Sequence, residues 1–180
     1  MQKNRKAIHI EANHNPRLLR RSIRKHVIIG WKEWCALPSL DIPGIKAKID
    51  TGAKTSSLHA YDIEPIQYRG ETWVRFSLHP LQRHNEIVIV RKAKVTDQRY
   101  VTSSSGHREL RYVINTTLKI GKIVKTIELT LANREKMVFK MLLGRDALTK
   151  DFIISPDKQH CQGLVSQLLL KRRYKKELTK

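Results

Sequence analysis

Residues Ile49–Leu58 read IDTGAKTSSL, and this stretch places one acidic side chain where a β-forming run meets a turn. The run before it, IKAKI at 45–49, alternates apolar and polar side chains, which predicts a strand. Gly52 lets the backbone turn closely, and the Thr51 hydroxyl can donate or accept a hydrogen bond. The chain has 36 Lys or Arg residues and only 16 Asp or Glu residues. We therefore take Asp50 as the first candidate for a functional residue.

Most of the remaining sequence predicts short β-strands separated by turns. Strand patterns begin at His26 and recur in HVIIGW, WCALPSL, PIQY, TWVRF, EIVIV, RELRYVI, TLKI, KTIELTL and KMVFKML. In KTIELTL, the apolar Ile127, Leu129 and Leu131 alternate with polar residues, which predicts one buried and one wetter face. Turns are expected at DIPG (41–44) and at the glycine-containing pairs and loops that follow. Only RDALTKDF and the C-terminal LVSQLLLKRRYKKEL have a helical pattern.

The charge is distributed unevenly along the chain, whose net value is +20. Residues 1–26 carry eight Lys or Arg and one Glu, and residues 164–180 carry six and one. The segment 27–163 therefore keeps +8. We expect one mostly β domain at 27–163, a basic disordered arm before it, and a basic amphipathic helix or tail after it. Such a charge favours an acidic partner, which is nucleic acid, an anionic membrane or an acidic peptide.

Two cysteines and the N-terminal composition bear on the compartment. Cys35 and Cys161 are too few for a disulfide scaffold. The basic N-terminus is followed by no long apolar run of the kind that predicts a signal sequence or a membrane span. The expected location is the reducing cytoplasm.

A second motif, MLLGRDAL at 141–148, places apolar residues and a glycine ahead of a short predicted helix. An Asp-Thr-Gly loop combined with such a strand resembles the retropepsin-like aspartic peptidases, in which this strand crosses behind the catalytic loop. More narrowly, the strings IGWKEWCALPSLDIPGIKAKIDTGAKTSSLHA, SSSGHRELRYVI and NREKMVFKMLLGRDAL resemble a bacterial family labelled ATP-dependent zinc proteases. The resemblance covers roughly residues 27–160.

The resemblance implies a closed β-barrel, the acid protease fold, with one short helix after Gly144. It also implies that Asp50 is catalytic, and that the residues around it support the loop from the front and from behind: Thr51, Gly52, Ala53, Leu143 and Gly144. The sequence contains no second Asp-Thr-Gly or Asp-Ser-Gly string. This chemistry needs two carboxylates that share one proton, so a symmetric homodimer is expected to supply the second Asp50.

The residues support neither term in that family label. No G-x-x-x-x-G-K-[ST] string exists to bind the phosphates of ATP. No His-Glu-x-x-His string occurs either, and His79 with His84, or His160 beside Cys161, makes no convincing set of zinc ligands. We expect no cofactor and no metal.

The segment RYVTSSSGHRELRYVI predicts two strands joined by a Ser/Gly turn. It lies between the two motifs, where retropepsins carry the flap that covers the cleft, and we assign residues 102–109 to that flap. An ordinary surface hairpin is the alternative. The tip of the predicted flap consists of Ser103, Ser104, Ser105, Gly106 and His107.

Cations near the two motifs are candidates for contacts with an acidic substrate, and they are Lys54, Arg108, Arg134 and Arg145. For Lys54 the alternative is a solvated side chain that points away from the site. Arg145 begins a predicted helix, where an arginine commonly ties subunits together through ion pairs.

The expected function is an aspartic-type peptidase. The family is associated with the enzyme that adds glutamates to the C-terminus of a small-subunit ribosomal protein, which implies that its members trim acidic tails. The alternative is a non-catalytic ribosome- or RNA-binding module whose basic tails contact phosphates. A third hypothesis attaches the C-terminal segment to a membrane surface through Leu164, Leu168 and Tyr174, unless that helix docks on its own domain.

Overall fold

The computed structural model describes residues 26–102, 106 and 108–178, so the predicted arm lies outside the described residues except for His26. The described residues form strands and two α-helices, α1 and α2. Their bounds are β1 (Val27–Gly30), β2 (Lys32–Leu37), β3 (Ile42–Ile49), β4 (Ser56–His59), β5 (Tyr61–Tyr68), β6 (Glu71–Leu78), β7 (Ile89–Thr102), β8 (Arg108–Ile120), β9 (Ile123–Ala132), β10 (Met141–Leu143), α1 (Arg145–Leu148), β11 (Phe152–Ser155) and α2 (Gln167–Leu178).

One sheet contains nine of these strands. Their order is β2, β3, β10, β4, β9, β8, β7, β6 and β5, while β1 pairs in parallel with β11. A further bridge joins Ala36 of β2 to Lys119 of β8, so the pairing returns from β8 to β2. The prediction of a mostly β domain is confirmed.

The strand β10 lies at the centre of the arrangement that positions the first motif. It runs parallel to β3 and antiparallel to β4. Leu143 at the end of β10 is the partner of Ile49 at the end of β3. The three residues of β10 therefore fill the gap between the strand that enters the Asp50 loop and the strand that leaves it.

Alternation explains why β3 forms. Ile45, Ala47 and Ile49 are buried in the core, whereas Lys46 is half-buried and Lys48 is exposed. A two-residue period of this kind places one apolar face inward. On β9, Ile127, Leu129 and Leu131 are likewise buried and Glu128 is exposed.

Thr130, predicted on the wetter face of β9, is buried instead. Its hydroxyl donates a 3.0 Å hydrogen bond to the Ser56 carbonyl of β4. The Thr130 hydroxyl thus finds its acceptor on the neighbouring strand, whereas alternation along β9 alone predicts that it contacts water.

The first predicted turn lies a few residues too late in the chain. The chain reverses through a 3-10 turn at Pro38–Leu40, and the Asp41 amide donates to the Pro38 carbonyl at 3.0 Å. Asp41 adopts a φ of 49°, in the left-handed region that Asp tolerates better than most residues. Pro43 and Gly44, predicted in the turn, belong to β3.

Three other predicted elements are shorter than their patterns. The helical RDALTKDF ends at Leu148, and its last residues pass through Lys150, with a φ of 72°, into β11. In EIVIV the strand begins only at Ile89. In KMVFKML the strand begins at Met141, because the exposed residues before it form a turn. Periodicity identified these elements, but tertiary pairing sets their ends.

The C-terminal helix α2 docks on the domain. Leu170 and Tyr174 are buried, and the Tyr174 hydroxyl donates to the Gly44 carbonyl at 2.8 Å. Tyr174 is therefore not available for the predicted membrane stripe, although Leu164 and Leu168 are exposed. No helix among the described residues is long and apolar enough to cross a membrane.

Candidate active site

The loop after β3 holds the Asp50 carboxylate through its own backbone. The Asp50 amide donates to the Leu143 carbonyl of β10 at 2.9 Å. Its Oδ1 atom accepts hydrogen bonds from the amides of Gly52 at 3.1 Å and Ala53 at 3.2 Å. The side chain is half-buried, and Oδ2 accepts no hydrogen bond from the described residues. One carboxylate oxygen is thus fixed, and the other is left for a different partner.

Two glycines let the backbone come close around this carboxylate. A Cβ atom at Gly52 would lie 3.3 Å from Asp50 Oδ1. A Cβ atom at Gly144 would lie only 2.6 Å from the Lys54 and Thr55 carbonyl oxygens, which are backbone atoms that cannot move aside easily. The Gly144 amide donates to Ser56 Oγ at 3.1 Å. The segment after β10 therefore packs directly against the segment that follows the loop.

Arg145 braces the same loop from α1. Its Nη1 atom donates to the carbonyls of Thr51 at 2.8 Å and Gly52 at 3.0 Å, and its amide donates to the Ala53 carbonyl at 2.9 Å. The structure thus brings Asp50 together with the predicted support residues Thr51, Gly52, Ala53, Leu143 and Gly144. Arg145, predicted as a contact to acidic substrate or a tie between subunits, also bonds to this loop. Lys54 is exposed, and its backbone carbonyl accepts from the Asp146 amide at 3.1 Å.

The guanidinium of Arg134 is half-buried, and its charge interacts with that of Asp50. Its Nε donates to the Phe139 carbonyl at 3.4 Å, and no described carboxylate forms a salt bridge with it. Burial lowers the pKa of Arg134, the positive charge of Arg111 lowers it further, and the negative charge of Asp50 acts in the opposite direction. Arg111, which the sequence did not single out, lies on β8. Its Nε atom is 2.8 Å from Oε2 of Glu109.

The predicted flap lies on the long hairpin of β7 and β8. Thr102 is the strand partner of Arg108, so the described part of the segment is a hairpin. Gly106 has a φ of 80°, and the Arg108 guanidinium lies 4.3 Å from the centre of the Tyr100 ring. Four residues of the predicted tip lie outside the described residues: Ser103, Ser104, Ser105 and His107.

A model of the family described as RimB-like, retropepsin-like aspartic endopeptidase RimB, matches residues 28–163. The chain belongs to the RimB-like family. The resemblance found in the two sequence motifs is thereby confirmed at the level of the family.

Several relatives of this RimB-like chain have a different name. A protein of Desulfotalea psychrophila named probable alpha-L-glutamate ligase is 49% identical over 153 residues, which cover 85% of this chain and 33% of that protein. A protein of Shewanella pealeana with the same name is 44% identical over 147 residues, which cover 82% and 32%. The chain spans about a third of the length of the curated relatives it matches.

A solved structure is also similar to the RimB-like chain. The crystal structure of a Legionella pneumophila protein of unknown function has a TM-score of 0.63 and 27% identity. The similarity covers 76% of this chain and 98% of that one. The two proteins therefore share the fold over nearly all of the Legionella chain.

The sequence reasoning missed a cluster of the buried His59 and His79 with the half-buried Tyr61 in the RimB-like domain. The ring of His79 stacks with those of His59 at 5.6 Å and Tyr61 at 5.0 Å, and His79 Nε2 lies 3.2 Å from the Tyr61 hydroxyl. His59 Nδ1 accepts from the Arg134 amide at 3.0 Å. Burial, together with the charges of Lys140, His79 and Arg134, lowers the pKa of His59 to about 4. β4 ends in Leu58-His59, and His79 directly follows Leu78 at the end of β6, but only the fold shows that the two histidines meet.

The histidines considered as metal ligands have other surroundings in the RimB-like domain. His84 Nδ1 lies 3.0 Å from a Glu86 oxygen, and His160 stacks on Trp34. The described residues contain no group of three or more His, Cys, Asp or Glu side chains placed to hold a metal ion.

Proposed function

We propose that this chain is an aspartic-type endopeptidase whose catalytic carboxylate is Asp50, carried on a retropepsin-like closed β-barrel. The observation that supports this best is the asymmetry of the carboxylate. Backbone amides fix Oδ1, whereas Oδ2 accepts no hydrogen bond from the described residues. Such a group is oriented by the fold and still able to bind water or a substrate proton. Membership of the RimB-like family supports the same class of reaction.

The proposed catalytic unit is a homodimer in which each subunit contributes one Asp50. Two carboxylates about 3 Å apart cannot both ionise, so the pair holds one proton. The ionised carboxylate takes a proton from a water as the water oxygen attacks the peptide carbonyl carbon, while the protonated one gives its proton to the carbonyl oxygen. The intermediate then returns one proton to the dyad, the dyad protonates the amide nitrogen, and the C–N bond breaks. The dyad finishes with the single proton with which it began.

The proposed substrate is a glutamate-rich tail, such as that of a polyglutamylated ribosomal protein. Two features support this choice: the positive charge of segment 27–163, and the guanidinium of Arg134, which interacts electrostatically with Asp50 and forms no salt bridge among the described residues. Relatives that share this domain are named probable alpha-L-glutamate ligase. We propose that this chain removes the kind of residue that such a ligase adds.

The decisive experiment compares the wild type with Asp50→Asn on a fluorogenic glutamate-rich peptide and on a neutral peptide of equal length. The amide keeps the shape of the carboxylate but cannot carry the shared proton, so turnover is expected to fall by about a thousandfold or more. Melting temperature and dimer mass by light scattering are expected to stay unchanged. Chelators and the omission of ATP are expected to leave wild-type turnover unaffected.

Each part of the proposal has its own contrary result. Full turnover by Asp50→Asn would place the chemistry elsewhere, and turnover by a protein that stays monomeric would remove the shared dyad. Equal turnover of the two peptides would remove the acidic substrate but leave the peptidase. A wild type with no turnover that binds ribosomes or RNA would favour the non-catalytic binding module.

A further inference from the structure

A groove of 680 Å³ lies outside the Asp50 loop. Its walls come from β2, β3, the segment after β6 and the turn before β10. The lining includes none of the loop residues from Asp50 to Thr55. The groove is therefore a second concave surface, separate from the loop that carries Asp50.

The groove collects cations that lack acidic partners, namely Lys32, Lys46, Arg83 and Lys136. None of them forms a salt bridge with a described acid. The carboxylate of Glu135 also lines the groove, so the positive side chains outnumber it. Burial lowers the pKa of Lys46, and the charges of Lys32 and Arg83 lower it further. The positive charges of Lys32 and Arg83 therefore repel that of Lys46. A bound polyanion would relieve this repulsion.

Aromatic and apolar side chains lie among these charges. Trp31 is 37% exposed, with its ring edge-to-face on Phe139 at 5.9 Å and the Lys32 ammonium 4.6 Å from its centre. Met137 and Val138 beside them are well exposed. A positively charged groove with one exposed aromatic ring has the two features that bind single-stranded nucleic acid, which are phosphate contacts and base stacking.

We propose that this groove binds single-stranded RNA, with Lys32, Lys46, Arg83 and Lys136 on the phosphates and a base on Trp31. The exposed indole of Trp31 favours RNA over an acidic peptide, because a base stacks on it through an aromatic ring and a glutamate side chain has none. Position decides in the same direction, since a peptide to be cleaved must reach Asp50 and the groove does not include that loop. The proposal is independent of the proposed peptidase function.

The test uses the full chain and a fluorescent oligouridylate of about 12 nucleotides, a length within the range of single-strand sites. The groove variant Lys32→Ala/Lys46→Ala/Arg83→Ala is compared with a control that removes the same charge from exposed lysines elsewhere, at positions 92, 119 and 122. Losing three phosphate contacts is expected to lower the slope of log affinity against log salt by about 2, and to weaken binding about 100-fold near 0.1 M salt. The control variant is expected to lose much less, because it leaves the groove intact.

Stacking is tested separately with Trp31→Ala and Trp31→Phe. The alanine variant is expected to bind the oligonucleotide about tenfold more weakly with an unchanged salt slope, and phenylalanine is expected to restore most of the affinity. Thermal melting of each variant checks that the fold is retained. A 4-thiouridine oligonucleotide is expected to crosslink to Trp31 or to residues 137–139.

Three results would overturn the proposal. Equal losses in the groove and control variants would show diffuse charge attraction only. Crosslinks confined to the N-terminal arm would place the RNA there. An oligoglutamate of equal charge that displaces the RNA at equal concentration, and whose own binding is insensitive to Trp31→Ala, would assign the groove to an acidic peptide.

Discussion

Glu33 and Asp50 are two of the carboxylates in this domain that accept backbone hydrogen bonds, and they differ in whether both oxygens are bonded. Glu33 on β2 is fully buried. Its Oε1 atom accepts from the amides of Gly30 and Cys161, each at 2.7 Å, and its Oε2 atom accepts from the Gln162 amide at 3.3 Å. Both oxygens are therefore occupied, and the side chain ties β2 to a segment almost 130 residues away along the chain.

The Asp50 carboxylate also accepts hydrogen bonds from backbone amides, but only at one of its two oxygens. Amides of Gly52 and Ala53 reach only Oδ1, and the half-buried side chain leaves Oδ2 without a described partner. The comparison shows that burial or hydrogen bonding alone does not mark a functional acid. A carboxylate with every oxygen satisfied stabilises the fold, whereas one with a fixed and an open oxygen is available for chemistry.

The largest expected effect on stability comes from Glu33→Gln. The side-chain NH2 group of Gln would point at a backbone N–H group. Two donors would then face each other where a buried hydrogen bond is present in the wild type. We expect the free energy of unfolding to fall by about 3 kcal/mol, while turnover of the folded enzyme is unchanged. Urea unfolding measures the first quantity and initial rates the second.

The matched control for this prediction is Glu64→Gln, which removes an exposed carboxylate paired with Arg75 at 3.2 Å. That change is expected to cost about 0.5 kcal/mol or less. If Glu33→Gln and Glu64→Gln had equal unfolding free energies, the hydrogen bonds of Glu33 would not stabilise the fold. The contrast between Glu33 and Asp50 would then fail.

Gly144→Ala tests how tightly the Asp50 loop is seated. The new Cβ would lie 2.6 Å from backbone oxygens of Lys54 and Thr55, so the loop or the strand behind it must shift. We expect a loss of about 2 kcal/mol in unfolding free energy together with a fall in turnover. Gly70→Ala is the control, because Gly70 has open space around it but a φ of 75°, and about 1 kcal/mol of backbone strain is expected there. A variant at 144 with full turnover would show that the seating of the loop does not matter for catalysis.

The sequence predicted the parts of this arrangement that local pattern determines. The alternation in β3, the Gly52 turn, and the apolar run ending in Gly144 all lie within short segments whose periodicity and turn chemistry are readable. The resemblance to retropepsins predicted that the strand ending before Gly144 crosses behind the Asp50 loop, and the structure shows its parallel pairing with β3.

Contacts between distant segments were not predictable in this way. Glu33 is bonded by amides 128 and 129 residues away, and Tyr174 by a backbone group 130 residues away. His59 and His79 meet because β4 and β5 are joined by a tight connection and β5 pairs with β6. Each contact depends on strand register and docking, which a two-residue period does not specify.

The stability of the domain is expected to depend on pH through His59. Burial lowers the pKa of His59 from 6.5 to about 4 in the folded protein. As pH falls, the unfolded chain binds this proton first, so the stabilisation is present above pH 6.5 and is lost as pH falls toward 4. Between about pH 7 and pH 5 the expected loss is about 2 kcal/mol.

The measurement for this prediction is urea unfolding at several pH values for the wild type and for His59→Asn, whose carbonyl can replace the Nδ1 acceptor. The variant is expected to show a shallower decline between pH 7 and pH 5, and His84→Asn, at a half-buried histidine beside Glu86, serves as the control. An equally steep decline in His59→Asn would assign the acid sensitivity to other groups.

The smallest expected effect on stability belongs to Arg145, and it separates two roles for this residue. Its Nη1 atom bridges the carbonyls of Thr51 and Gly52, so losing the guanidinium should loosen the Asp50 loop more than the domain, with about 1 kcal/mol lost in unfolding free energy. If Arg145 acts by bracing the loop, Arg145→Lys should fail to restore kcat, because the lysine ammonium lies one bond nearer the backbone than Nη1 and so falls short of the two carbonyls. KM for the glutamate-rich peptide should then change little. If Arg145 instead contacts the acidic substrate, the lysine variant should keep much of the activity, and Arg145→Ala should raise KM with kcat preserved. We expect the first pattern, and the second would move Arg145 from the support of Asp50 to the recognition of substrate.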